Sequence, residues 1–88
     1  MVEKSYKIIS TEGLHARPAS KLVGAVTPFT SEVMLEYKEK RINMKSIMGV
    51  MSLGISKGTS IKIIADGFDE VNLMAKVDEL IKDEKLAE

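Results

Sequence analysis

Apolar and polar positions alternate with period two along three stretches of the chain and recur at helical spacing along three others. Over residues 2–9, Val2, Lys4, Tyr6 and Ile8 share one face, with Tyr6 and Ile8 as its apolar anchors, which predicts a strand. From about Ala16 to Thr27 the period changes: Ala19, Leu22, Val23 and Val26 fall at i, i+3, i+4 and i+7 and form one stripe of a helix that Pro28 ends. Gly24 lies inside this helix at a cost of about 1 kcal/mol relative to alanine; either a close approach of the helix to the sheet or mere tolerance would account for it. Residues 31–37 alternate again, with Val33, Leu35 and Tyr37 facing one way and Glu32, Met34 and Glu36 the other. Lys38-Glu39-Lys40 is read as a hairpin turn without the Asn-Gly or Asp-Gly signature, and Arg41 to Met44 as a short return strand with Ile42 and Met44 inward.

Ser46 then has the residue type of a helix N-cap, whose hydroxyl accepts from a free amide of the first turn. A short helix follows over Ile47 to Leu53 and stops at Gly54, placed in the left-handed C′ position. Ile47, Val50 and Leu53 serve one face of it. Met48 and Met51 lie on a second face, and no charge falls between Ser46 and Ser56. A two-turn helix lying on a single sheet buries one side only, so the methionines are expected to form an exposed docking patch rather than to fill core gaps. Ser56-Lys57-Gly58 is a turn, and residues 60–65 form the most β-prone strand, with Ile61, Ile63 and Ala65 alternating against Ser60, Lys62 and Ile64. Asp66-Gly67 breaks it. Asp69 is expected to cap a final helix, with Phe68 and Leu73 in the positions of a hydrophobic staple. Leu73, Met74, Val77, Leu80 and Ile81 make its apolar stripe, Asp78 and Lys82 an i, i+4 ion pair, and residues 84–88 a frayed end. The order strand, helix, strand, strand, helix, strand, helix predicts an α+β domain with an antiparallel sheet covered on one face by helices.

Composition narrows the classes of function. With 88 residues, 44% of them hydrophobic, the chain has room for one small domain that buries about two thirds of its unfolded surface. Thirteen basic and thirteen acidic residues cancel, with no run of five like charges, so neither a nucleic-acid backbone nor an anionic membrane is the expected partner; proteins are. The absence of cysteine rules out a disulfide framework and a thiolate site, and a single histidine builds no ordinary zinc site. No apolar run approaches the roughly 20 residues of a membrane span, and the N-terminus leads straight into a strand pattern instead of a signal peptide, so a cytoplasmic protein is expected.

The chemistry concentrates in Gly13-Leu14-His15-Ala16-Arg17-Pro18-Ala19, which places the only histidine directly before a helix start. Proline belongs to a first helical turn, where its missing amide hydrogen costs nothing. Gly13 supplies a turn after the polar Ser10-Thr11-Glu12, leaving His15 on an exposed loop beside amides that attract anions. Arg17 adds a permanently charged donor fork suited to phosphate or carboxylate. The positive helix end and the arginine both disfavour imidazolium, so the neutral, nucleophilic ring is favoured. Taken alone, a lone histidine at a turn is more often a solvated polar residue; it is the arrangement around it that raises the case for function.

Gly13 to Ala19 resembles the active-site loop of HPr, the histidine-containing phosphocarrier family of the bacterial phosphoenolpyruvate:sugar phosphotransferase system. Asn43 to Gly54 is similar to the regulatory-serine region of HPr proteins from low-GC Gram-positive bacteria, and the resemblance spans essentially the whole chain, 1–88, as a single HPr domain. It implies an open-faced sandwich with strand order 1-4-2-3 covered on one face by three helices, the first two beside His15. It implies a carrier, not an enzyme, that needs no cofactor and no metal: His15 is phosphorylated by enzyme I from phosphoenolpyruvate, Arg17 partners the phosphate with the amides of Ala16 and Arg17, and the group passes to a sugar-specific enzyme IIA. Docking is expected at Ser20, Ile47, Met48 and Met51. Ser46 is the implied regulatory phosphorylation site in carbon catabolite repression, with HPr kinase/phosphorylase as writer and catabolite control protein A as reader. A monomer is expected, without direct nucleic-acid contact or membrane insertion.

Two other classes are weighed. A purely regulatory module acting through Ser46 resembles an HPr paralogue whose active-site histidine is replaced, whereas His15 is present here. A small α+β hydrolase of the acylphosphatase kind lacks support, because the loop has one arginine, no acid/base pair and no glycine-rich cradle. Position 12 departs from many relatives, which carry a small polar residue there; Glu12 is expected to point into solvent, its charge screened, rather than toward a phosphoryl group.

Overall fold

Strand β4 (Ser60–Asp66) alternates β-branched residues on both sides and takes an interior place in the sheet, where neither of its edges is left unpaired. A computed structural model describes residues 1–88. It has β1 (Val2–Lys7), α1 (Ala16–Val26), β2 (Glu32–Tyr37), β3 (Lys40–Asn43), α2 (Ile47–Ser52), β4 and α3 (Glu70–Asp83), with one antiparallel sheet in the order β1-β4-β2-β3. Both the element order and the strand order agree with expectation. Register places Tyr6 opposite Ile61, Val33 opposite Ala65 and Leu35 opposite Ile63, so one face of the sheet carries the inward set of every strand. Against it lie Leu22 and Val26 of α1, Val50 of α2, and Leu73, Val77 and Ile81 of α3, all buried. The hairpin between β2 and β3 turns through Lys38 (φ 48°) and Glu39 (φ 68°), both left-handed, although neither is the Asn or Gly that this tight turn favours.

The opposite face is open and carries charge: Lys62 reaches Glu3 at 3.5 Å and Glu36 at 3.9 Å, and Arg41 Nε donates to Glu36 at 3.0 Å. Ile64, assigned to this outer face by its alternation, is nonetheless buried, in register with Met34 and Glu3.

Several local expectations are corrected. Gly24 is exposed, and a Cβ there would meet nothing within 4 Å, so it is tolerated in α1 rather than required by close packing. Asp69 occupies the N-cap position of α3 but does not cap it. Its carboxylate instead accepts from the amides of Thr30 and Ser31, both at 2.9 Å, and from the Ser31 hydroxyl, which holds its pKa down to about 2. Ser31 is the buried polar residue at this junction, and Gly67 packs so close that a Cβ would lie 2.6 Å from Ser31 Cα. The staple is absent as well: Leu73 is buried while Phe68 is 92% exposed, because the Asp69 tie, not an apolar clasp, sets the entry to α3. Ile47, expected on the buried side of α2, is exposed at the first position of the helix, whereas Val50 one turn on is buried.

The chain end is not frayed. Lys85 adopts φ 53° past the α3 C-cap, and the amides of Lys85 and Leu86 donate to the carbonyls of Lys82 (3.2 Å) and Ile81 (3.0 Å), closing the helix in a Schellman turn. Leu86 and Ala87 are then buried, and the amide and carbonyl of Glu88 exchange hydrogen bonds with those of Lys7 at 3.0 and 2.9 Å. Asp78 forms the expected pair with Lys82 (2.9 Å) and also accepts from Lys4 (2.6 Å) and the Tyr6 hydroxyl (3.0 Å), tying α3 to β1. Lys4 and then Lys82 hold the Asp78 carboxyl well below the usual range, while burial and the Asp78 charge push the Tyr6 phenol up.

Candidate functional site

The loop before α1 is exposed at its tip and anchored at its base. Gly13 takes φ 68°, its amide donates to the Ser10 carbonyl at 2.9 Å, and a Cβ would lie 2.3 Å from the carbonyl oxygen of Ile55. Glycine is therefore required on two counts, backbone conformation and space. Leu14 is buried, and its amide donates to that same Ile55 carbonyl at 3.0 Å. The loop is thus fastened to the connection that follows α2, and the next residue, His15, is presented from a fixed base.

His15 is itself the N-cap of α1, with extended backbone (φ −86°, ψ −172°), and its side chain makes no cap hydrogen bond. Its carbonyl accepts from the Ala19 amide at 3.0 Å, which starts the helix. Pro18 has no amide hydrogen to place, while the amides of Ala16 and Arg17 have no backbone or side-chain acceptor. The imidazole is about two-fifths exposed. Arg17 is exposed and makes no ion pair. Two free amides, an exposed arginine without an ion pair and a part-exposed imidazole therefore belong to one helix start, a set of groups suited to an anion.

One neighbour differs from expectation. Glu12 does not simply face solvent: its Oε2 lies 3.1 Å from His15 Nε2, although its side chain remains 72% exposed. The loop turns tightly at Gly13, and this brings side chains three apart onto one side. Residue type alone gives no sign of the contact.

Helix α2 packs against α1. Its C-terminal end runs through Gly54 (φ 60°) into Ile55, which holds the His15 loop, so its start lies at the far end. There the Ser46 hydroxyl accepts from the Gly49 amide at 3.1 Å, the predicted cap. Met48 is 80% exposed, with Met51 and Ile47 also in solvent, and Ser20 is exposed on α1. Lys45, the cation adjacent to Ser46 in sequence, is engaged elsewhere: its ammonium donates to the Phe29 carbonyl at 2.6 Å.

The chain matches, over residues 2–83, the family described as the PTS HPr component phosphorylation site. It belongs to the HPr family. Among solved structures, a histidine-containing phosphocarrier protein of Mycoplasma is 38% identical, each chain being covered over 99% of its length, with a TM-score of 0.95. An HPr of Thermoanaerobacter tengcongensis is 40% identical with a TM-score of 0.90, covering 96% of this chain and 94% of the other. Crh, the catabolite repression HPr of Bacillus subtilis, is 42% identical over 96% of this chain and 97% of its own, with a TM-score of 0.73, and is described as a swapped, intertwined dimer. Membership places the chain among phosphocarriers of the phosphotransferase system, a family of carriers rather than catalysts, whose system partners include enzyme I and enzyme IIA. No helix is long and apolar enough to cross a membrane.

Proposed function

We propose that this chain accepts a phosphoryl group from enzyme I, with phosphoenolpyruvate as the source, on His15 and passes it to sugar-specific enzyme IIA in the cytoplasm. The observation that carries this reading is the open start of α1, where His15 stands beside the free amides of Ala16 and Arg17 and the unpaired Arg17 side chain. A carboxylate only accepts, so the 3.1 Å contact with Glu12 supports the tautomer that carries its proton on Nε2, with the lone pair on Nδ1 as nucleophile. As the Nδ1–P bond forms, the phosphoryl oxygens gain donors that were already in place, and no reorganisation of the loop is required. Because His15 projects from the surface instead of lining a cleft, two different active sites can reach it in turn.

Ser46 is the regulatory site in this reading. A phosphoserine adds about −1.5 to −2 charges; at Ser46 these fall beside free amides of α2 and next to the patch of Ile47, Met48 and Met51. The fold accommodates that charge, while a partner surface suited to an apolar patch does not, so charging by enzyme I slows. A reader with a basic pocket gains instead; HPr kinase/phosphorylase and catabolite control protein A fill the roles of writer and reader. The carrier acts as a monomer: β1 pairs within its own sheet and is held at its two ends by the Met1 ammonium on Glu70 (2.9 Å) and by Lys7 on Glu88.

Incubation with phosphoenolpyruvate and enzyme I is expected to add one acid-labile phosphate, and His15→Gln to abolish it while the amide NMR spectrum stays that of a folded protein. An acid-stable product, or equal labelling of the variant, contradicts the carrier reading.

A further inference from the structure

The Glu12 carboxylate contacts the His15 ring at Nε2, the nitrogen that the phosphoryl group does not use in the carrier reading. We propose that Glu12 is a positioning residue that keeps the proton on His15 Nε2 in the phosphorylated state, so that the ring departs as neutral imidazole when the group is handed on. The inference rests on the carrier reading given above.

With the Nδ1–P bond made and Nε2 still protonated, the ring bears a positive charge that the Glu12 carboxylate, 3.1 Å away, stabilises. On transfer, the P–N bond breaks, its electron pair returns to Nδ1, and the acceptor nucleophile, or water in spontaneous hydrolysis, takes the phosphoryl group. The leaving ring then already holds its Nε2 proton and is neutral. Had that proton been lost, the leaving group would be imidazolate, a far stronger base and a poorer leaving group. Arg17, exposed in the first turn of α1, is left to serve the phosphoryl oxygens with the free amides. Repulsion between the carboxylate and the phosphoryl dianion acts in the same direction, toward transfer and away from a long-lived store.

The pair is solvent-exposed, which limits its effect to that of a surface ion pair, about two- to fivefold in rate. The test compares wild type, Glu12→Gln and Glu12→Ala, each charged with phosphoenolpyruvate and enzyme I and then separated from both. Loss of phosphohistidine at neutral pH is followed by ³¹P NMR, and the Nε2 proton of the phosphorylated ring by ¹⁵N NMR at mildly alkaline pH. Both variants are expected to be charged on His15, to lose phosphate about two- to fivefold more slowly than wild type, and to hold the Nε2 proton in a smaller fraction of molecules. Wild-type decay and an unchanged proton fraction in Glu12→Gln would overturn the proposal, as would faster decay in either variant. Failure of wild type itself to form phosphohistidine would instead defeat the carrier reading, so the two failures are distinct.

Discussion

Helices α1 and α2 begin with different caps. Each leaves its first two amides without a partner, but in α2 the third, that of Gly49, donates to the Ser46 hydroxyl, whereas in α1 the third position is Pro18, with no amide hydrogen, and the histidine in the cap position caps nothing. A Ser, Thr, Asp or Asn at position 15 would be worth about 1 kcal/mol to α1. The chain forgoes that stabilisation at the helix end proposed to receive a phosphoryl group and keeps it where the capping hydroxyl is itself the proposed target of a kinase. Stability at the open end is restored by other means: Leu14 is buried and hydrogen-bonded to Ile55, Pro18 is pre-set for the first turn, and α1 packs on both other helices. The α3 start shows a third solution, in which Asp69 leaves its own helix and satisfies the Thr30–Ser31 amides across the fold.

This contrast can be broken from either side. Removing the charge at the open end is expected to have the largest effect: Arg17→Ala should slow phosphoryl transfer on the order of tenfold, as loss of a charge-assisted donor does, with stability within about 0.5 kcal/mol of wild type because the side chain is exposed and makes no hydrogen bond or ion pair in the free protein. Stopped-flow transfer kinetics beside urea unfolding check both halves. The surface between the two helix starts comes next. Met48→Glu with Met51→Glu should weaken enzyme I binding about fivefold by calorimetry and leave the fold intact, since truncating or charging a docking side chain costs about 1 kcal/mol or more; a large loss of stability would show the methionines to be core. At the closed end the effect on folding is smallest. Ser46→Ala should cost about 1 kcal/mol in urea unfolding and accept phosphate at a near-normal rate. Ser46→Asp should stay folded and be charged more slowly, and kinase-treated protein should reproduce that slowing.

Those features of the contrast that depend on neighbours along the chain are legible in the amino-acid sequence. Pro18 marks the start of α1, Ser46 and Gly54 bracket α2, and the period-two and period-3.6 patterns yield the element order, because each rests on local sterics or on a face repeated within one element. The resemblance of Gly13–Ala19 to a known loop supplies the strand order and the role proposed for His15. What stays hidden is tertiary. Asp69 is a good cap by residue type, yet its carboxylate has three donors waiting 38 and 39 positions away, and no local rule weighs them. The polar end after Asp83 reads as frayed until Leu86 and Ala87 find their place under the chain and Glu88 pairs with Lys7. Ile64 shows the same limit, since alternation assigns a face but not whether neighbouring strands cover it. Glu12 differs again: its partner is only three residues away, but the tight turn at Gly13 that joins them is a property of the folded loop and its anchor at Ile55.

The central claim is that the uncapped start of α1 is a receptor for the phosphoryl group, while at the start of α2 the Ser46 side chain already holds the Gly49 amide. Amide NMR before and after charging with phosphoenolpyruvate and enzyme I tests it most directly. The Ala16 and Arg17 amide protons should shift strongly downfield as they hydrogen-bond to the phosphoryl oxygens, while Gly49, held by Ser46, stays in place. Phosphohistidine forming on His15 with the Ala16 and Arg17 amides unmoved would contradict the account.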